Sequence, residues 1–201
     1  MTGARRTAGW WKKIPAGYPV RFVALAMLAL VVVVAYCRSD DLRDWMVDDT
    51  RFAAEIREAA LTHGIEPELV RAVVFQESRF DPFARGSKGE VGLMQVLPRG
   101  AVADWARAKR RPAPDRAALA DPRLNLEIGC WYLARGMRRW RNYTHGTELA
   151  LAGYNAGESR AERWKPADPG DEVIPRIAIA STRRYVSRIM KRYRNYLEKI
   201  Q

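Results

Sequence analysis

Cysteine and histidine are scarce in this chain, two of each among 201 residues: Cys37, Cys130, His63 and His145. That scarcity excludes a disulfide framework and a tetrahedral thiolate–imidazole zinc centre, so neither a metal nor a cofactor is expected. Runs of alternating apolar and polar residues punctuated by regular turns are missing too, as are internal repeats and low-complexity tracts. Sandwiches, propellers and solenoids are thereby excluded. The remaining composition, 48% hydrophobic and 29% charged, is that of a folded domain.

Acidic residues are absent from the first 36 positions, which carry Arg5, Arg6, Lys12, Lys13 and Arg21, a local charge of +5. Residues 183–201 hold Arg183, Arg184, Arg188, Lys191, Arg192, Arg194 and Lys199 against Glu198, a local +6. Of the total charge of +12, only +1 is left for everything between. A nucleic-acid binder would spread its charge over the body of the domain, so no nucleic acid is expected as a partner.

Long apolar runs are likewise few. The principal one, Phe22 to Tyr36, reads FVALAMLALVVVVAY and follows the basic segment. At fifteen residues it is short of the roughly 20 that span a bilayer core, unless Val20 and Cys37 extend it and Arg21 snorkels. Two readings fit: a signal anchor, or a signal peptide cleaved near Ala35 to Cys37, where Tyr36 and Arg38 make a poor site. Tyr36 also argues against lipid modification at Cys37. With the basic flank on the N-terminal side, residues 1–21 are expected in the cytoplasm, 22–37 as the anchor or signal peptide, 38–47 as a linker, and the rest across the membrane.

The exported part has helical periodicity. Phe52, Ile56, Ala59, Ala60 and Leu61 pattern a helix over 48–62 that stops at Gly64, and Glu66-Pro67 opens a second helix running to Glu77. Asp81-Pro82, Gly86, Gly89 and Gly92 mark a loop from Asp81 to Pro98 with room for a short hairpin. Further helices are expected over 99–108, 123–140, 147–155 and 181–199. The last of these places Val186, Ile189, Met190, Tyr193, Leu197 and Ile200 on one face. Segments 109–122 and 165–176, rich in Pro and polar residues, read as loops. The fold is expected to be mainly α.

Glu77 ends an apolar helix, where desolvation and the negative end of the helix dipole both favour its protonated form. A carboxyl kept protonated near neutral pH can donate a proton to a leaving oxygen. Glycosidases commonly add a second carboxylate; Asp81, Glu90 and Asp104 are available, and none of them is singled out.

Three ordered stretches carry a resemblance: Gln76-Glu77-Ser78 with the Gly-rich loop ending in Gly92-Leu93-Met94-Gln95, then Asn125-Leu126-x-x-Gly129-x-x-Tyr132-Leu133, then Ala152-Gly153-Tyr154-Asn155-Ala156-Gly157. Over about residues 50 to 190 the chain resembles the catalytic domain of soluble-type lytic transglycosylases. The resemblance implies a lysozyme-like helical domain with a substrate cleft, occupying 48–201 and including the basic C-terminal helix.

It further implies cleavage of peptidoglycan between N-acetylmuramic acid and N-acetylglucosamine without water. Glu77 would act alone as acid and then base, and the product would be a 1,6-anhydro sugar. Tyr154 corresponds to a Tyr whose hydroxyl approaches the catalytic carboxyl, and Ser87 to a loop Ser near the acetamido group. Gln95 and Asn155 bring amides for sugar hydroxyls and acetamides, while Gly92 and Gly157 permit close backbone approach.

Taken singly, Tyr154 is also explained as a half-buried core ring, Asn155 as a helix C-terminal cap, and the glycines as turn residues. Leu93, Met94, Trp131, Tyr132 and Leu133 read as core. Two positions depart from the family pattern: Leu97 stands in place of a Met, and Ser181 in place of a Glu. A goose-type lysozyme using water, or a peptidoglycan-binding envelope protein without activity, are the alternatives. The expected setting is the cell envelope, with the catalytic domain in the periplasm and the basic terminal helix available to anionic lipid or stem peptides.

Overall fold

The computed structural model describes residues 20–37, 44 and 46–199. The basic segment 1–19 and most of the linker 38–47 lie outside the described residues. The chain divides into two compact units, Met1–Met46 and Val47–Gln201.

In the first unit, α1 runs Val20–Cys37, 18 residues. At 1.5 Å per residue it is about 27 Å long, against about 30 Å of bilayer hydrocarbon. Among the described residues no helix is long and apolar enough to cross a membrane.

The second unit is built of helices: α2 Ala53–His63, α3 Pro67–Ser78, α4 Ala103–Ala108, α5 Pro122–Arg139, α6 Gly146–Ala156, α7 Glu158–Trp164 and α8 Ala180–Glu198. Local chemistry sets several ends. Gly64 takes a left-handed conformation and its N–H closes α2 onto Ala60 and Leu61. Pro67 opens α3, where a missing N–H costs nothing. The Asp121 carboxylate caps α5 by accepting from the Leu124 N–H at 2.8 Å.

The core lies where α3 packs on α8, α5 on α2 and α6, and α6 on α7 and α8. Val70, Ala72, Val73 and Val74 of α3 are fully enclosed, as are Leu126 and Ile128 of α5 and Leu149, Leu151 and Ala152 of α6. Removing such surface from water is the main stabilising term. On α8 the buried face is Thr182, Tyr185, Val186, Ile189 and Tyr196. It is rotated from the expected stripe, taking in two tyrosines and leaving Leu197 only partly covered. Cations cover two rings in the same helix pairing. Arg192 lies over the Phe75 ring, 3.3 Å from its centroid, and Arg71 over Tyr196 at 4.1 Å.

Two expectations need correction. The hairpin in the 81–98 loop reduces to isolated bridges, Arg85 with Val91 and Val91 with Val96. The loop turns too tightly for a ladder, because Val91 pairs on both sides. The helix over 99–108 is regular only from Ala103, since Gly100 has a non-helical backbone (φ −130°, ψ −107°). Helix α7, seven residues long, had no repeat long enough to announce it.

Candidate active site

The end of α3 projects Glu77 into a cavity of about 300 Å³. The helix stops there because Arg79 (φ 50°) and Phe80 (φ 63°) are both left-handed. Non-glycine residues adopt that conformation at a cost of about 1 kcal/mol or more each, so the surrounding packing has to impose it. Phe80 is buried against Phe75 edge-to-face, with centroids 6.3 Å apart. The Ser78 hydroxyl donates to the Leu93 carbonyl at 2.8 Å, tying the helix end to the loop. Gln95 (φ 47°), which does line the cavity, is left-handed as well. The chain thus turns away directly behind the carboxyl.

The carboxyl itself is held by an α8 side chain: the Tyr185 hydroxyl donates to Glu77 Oε1 at 2.5 Å. Enclosure in the protein pushes the Glu77 pKa up to about 7, the Tyr185 hydrogen bond pulls it back, and the nearby Glu90 carboxylate adds to the rise. Near neutral pH Glu77 therefore exists in both protonation states. Tyr185→Phe removes the group that favours the charged form, so Glu77 is expected to titrate above its present value of about 7. A carboxyl-carbon NMR titration measures this, and a downward or absent shift would show that Tyr185 does not hold the charge.

Tyr185 is the residue the sequence reading missed. It lies four residues beyond Ser181, the position where the resembling family has a Glu, and that neighbourhood was the available signal. The hydroxyl of Tyr154, expected to approach the carboxyl, has its pKa pushed up by burial and by the nearby Glu77 charge, and it donates its hydrogen bond to the Met94 carbonyl at 2.7 Å. Tyr154 still lines the cavity and packs edge-to-face on Tyr132, 5.6 Å between centroids. Tyr132 and Trp131, read as core, are half-buried and pack against it, Tyr132 also forming cavity wall, and Leu93, Met94 and Leu133 are buried.

Asn155 lines the cavity and accepts a hydrogen bond from the Thr182 hydroxyl at 2.8 Å. It is not the helix cap: Gly157 (φ 94°) closes α6, its N–H reaching the Gly153 carbonyl. Gln95 is turned inward, its amide donating to the carbonyls of Ala84 at 3.0 Å and Gly92 at 2.9 Å. Both amide hydrogens fasten the loop, and the side-chain oxygen lies beside Gly86, where a Cβ would stand 2.9 Å from it. Ser87 is exposed on the loop, and its neighbour Lys88 reaches the cavity instead.

Gly92 (φ 79°) serves packing. A Cβ there would stand 2.2 Å from Asn125 Nδ2 and 2.8 Å from the Leu119 carbonyl oxygen. Asn125 is fully buried and satisfied, accepting from the Met94 N–H at 2.8 Å and donating to Val91 O at 2.9 Å and Leu119 O at 2.8 Å. Gly129 completes the fit, because a Cβ there would meet Met94 Sδ at 2.4 Å. The Asn125–Gly129 motif is therefore the seat on which the Gly92–Gln95 loop rests.

Of the other carboxylates, Asp81 accepts from the Phe83 N–H in a turn, and Asp104 is paired to Arg135 at 2.9 Å. Glu90 lines the cavity with Glu77, but its Oε2 accepts the Lys88 N–H at 2.9 Å.

A helical domain that sets a glutamic carboxyl, bonded by a tyrosine, in the wall of a cleft has the lysozyme-like fold. The chain belongs to the transglycosylase SLT domain family, whose model matches residues 54–174. The membrane-bound lytic murein transglycosylase C of Actinobacillus pleuropneumoniae is 36% identical over 107 residues, covering 51% of this chain and 29% of that protein. Its namesake from Actinobacillus succinogenes is 27% identical over 168 residues, covering 81% and 43%. The solved lytic transglycosylase Slt of Pseudomonas aeruginosa, an inactive mutant, superposes with a TM-score of 0.69 at 24% identity, over 90% of this chain and 29% of that one. The chain spans less than half the length of these curated relatives.

Proposed function

We propose that this chain is a peptidoglycan lytic transglycosylase with Glu77 as its sole acid and base. The observation that carries the reading is the enclosed Glu77 carboxyl, held near half-protonation in a cleft whose other carboxylate, Glu90, is bonded to its own loop. Glu77 donates its proton to the oxygen linking N-acetylmuramic acid to N-acetylglucosamine, and that bond breaks as the muramoyl acetamido oxygen closes on C1. The Glu77 carboxylate then takes the proton of the muramoyl C6 hydroxyl, whose oxygen displaces the acetamide from C1. The sum is a 1,6-anhydro end and a free 4-hydroxyl, with no water consumed. The C6 hydroxyl is covalently attached to the reacting ring, and its high effective concentration favours it over water.

The setting proposed is the periplasmic face of the membrane. It is supported by the curated relatives' description as membrane-bound and by α1, which is apolar on all sides from Phe22 to Tyr36. Stem or lipid carboxylates and phosphates are the anions that the basic face of α8 would meet.

Mass analysis of fragments released from purified sacculi tests the activity. Anhydro-ended fragments, lighter by one water than reducing-ended ones, are expected. Reducing ends alone would assign water as the nucleophile, with Glu90 as its activating base, and no release at all would leave a binding protein.

A further inference from the structure

Two further segments of chain help wall the Glu77 cavity: the stretch 96–101, which runs straight into α4, and the stretch 153–157, which runs into α7. Each carries a carboxylate just past the cavity. Asp104 stands three residues beyond Ala101, and Glu158 directly follows Gly157. One side chain of α5 holds both: Arg135 donates through Nη1 to Asp104 Oδ2 at 2.9 Å and through Nη2 to Glu158 Oε1 at 2.5 Å. None of these three residues lines the Glu77 cavity itself.

The same guanidinium covers an aromatic pair that reaches the cavity. It lies over the Tyr132 ring, 4.7 Å from the centroid. Tyr132 packs edge-to-face on Tyr154, whose hydroxyl is bonded to the Met94 carbonyl, next to Gln95. The side chains of Arg135, Asp104 and Glu158 are 34%, 31% and 35% exposed, and ion pairs that water reaches contribute little to stability. What the arrangement fixes is distance. A guanidinium is planar with its donors in a rigid fork, so two carboxylates bonded to its two Nη atoms are held at one separation.

We infer that Arg135 is a positioning residue: it ties the α4 wall of the cleft to the α7 wall and so holds the opening at the width from which Glu77 transfers its proton. Its kinetic consequence rests on the proposed activity, whereas the tie itself is a distance and can be measured without turnover. Either ion pair alone leaves one wall loose, so the tie is lost when the first arm breaks. Because the three residues stand outside the cavity, the loss falls on kcat, where a misplacement of about 1 Å costs on the order of 100-fold.

The test follows fragment release from soluble glycan strands by the full chain in detergent, well below each variant's thermal midpoint. Asp104→Asn and Glu158→Gln are each expected to lower kcat about 10-fold with KM within about 2-fold of the wild type. The double variant should be no slower than the slower single one, since the tie breaks only once. An ammonium group cannot span both carboxylates in that fork, so Arg135→Lys should match the double variant in kcat while keeping its charge. Losses that multiply in the double variant, a loss confined to KM, or wild-type kcat in Arg135→Lys overturns the inference. If the wild type cleaves no strand, the proposed function fails, and the tie is then judged by distance alone. Nitroxide labels on Arg99→Cys and Ser159→Cys, both exposed and one on each wall, report it by pulsed electron spin resonance in a Cys37→Ser chain whose Cys130 is buried. A narrow distance distribution that broadens alike with Asp104→Asn, Glu158→Gln and Arg135→Lys supports the tie, and an unchanged distribution overturns it.

Discussion

Glu77→Gln is expected to reduce release of anhydro-ended fragments at least about 1,000-fold, because one carboxyl serves both the protonation and the deprotonation step. The amide keeps the size and can still accept from Tyr185, so the loss comes from proton transfer alone. The wild-type activity should fall on the alkaline side with a midpoint near the Glu77 pKa of about 7, since above it the acid is already spent.

The same substitution carries a stability signature of defined sign. The Glu77 pKa is raised by folding from 4.5 to about 7, so across that window the folded state binds the proton that the unfolded state releases. Stability is unaffected below the lower value, falls as pH rises through the window, and carries the whole penalty, on the order of 3 kcal/mol, above the upper one. Gln does not titrate. Thermal midpoints of the variant should therefore match the wild type near pH 4 and exceed it by several degrees near pH 8. A midpoint difference that stays flat with pH, or an active variant, would remove Glu77 from its assigned role.

How much of this was legible in the sequence differs from element to element. Helices α2, α3, α5, α6 and α8 declared themselves through 3.6-residue periodicity and through end signals such as Gly64 and Pro67. Helix α7 did not, because its seven residues hold too few repeats. Glu77 was legible because its chemistry depends on local features, an apolar helix and its C-terminal end. Its partner was not: Tyr185 lies 108 residues away, and no local pattern says which tyrosine meets the carboxyl. The sequence motif selected Tyr154, which occupies the same cavity but spends its hydroxyl on Met94. Gln95 shows the same limit, since an amide's capacity to bond sugars says nothing of the loop carbonyls that reach it first.

The Asn125 motif was visible as a pattern but not as a mechanism, and the structure turns it into an energetic claim. Asn125→Ala strands the Met94 N–H and the carbonyls of Val91 and Leu119 inside the protein. At about 1–3 kcal/mol for each unsatisfied buried group, with partial relaxation, a loss of about 3–5 kcal/mol is expected in urea unfolding. Gly92→Ala should cost a similar amount by a different route, placing a Cβ against Asn125 Nδ2 and forcing a side chain onto a positive φ. The two losses should not add. In the double variant the missing amide gives the new methyl room, so the coupling is expected to be favourable by about 1–2 kcal/mol. Strict additivity would mean that Gly92 answers to its backbone angle alone and that the Asn125 contact is incidental. Because Gly92 and Gln95 are three residues apart on the loop that walls the Glu77 cavity, activity in both single variants should fall further than their folded fraction. A loop unseated from Asn125 no longer holds the cleft to the geometry that proton transfer requires.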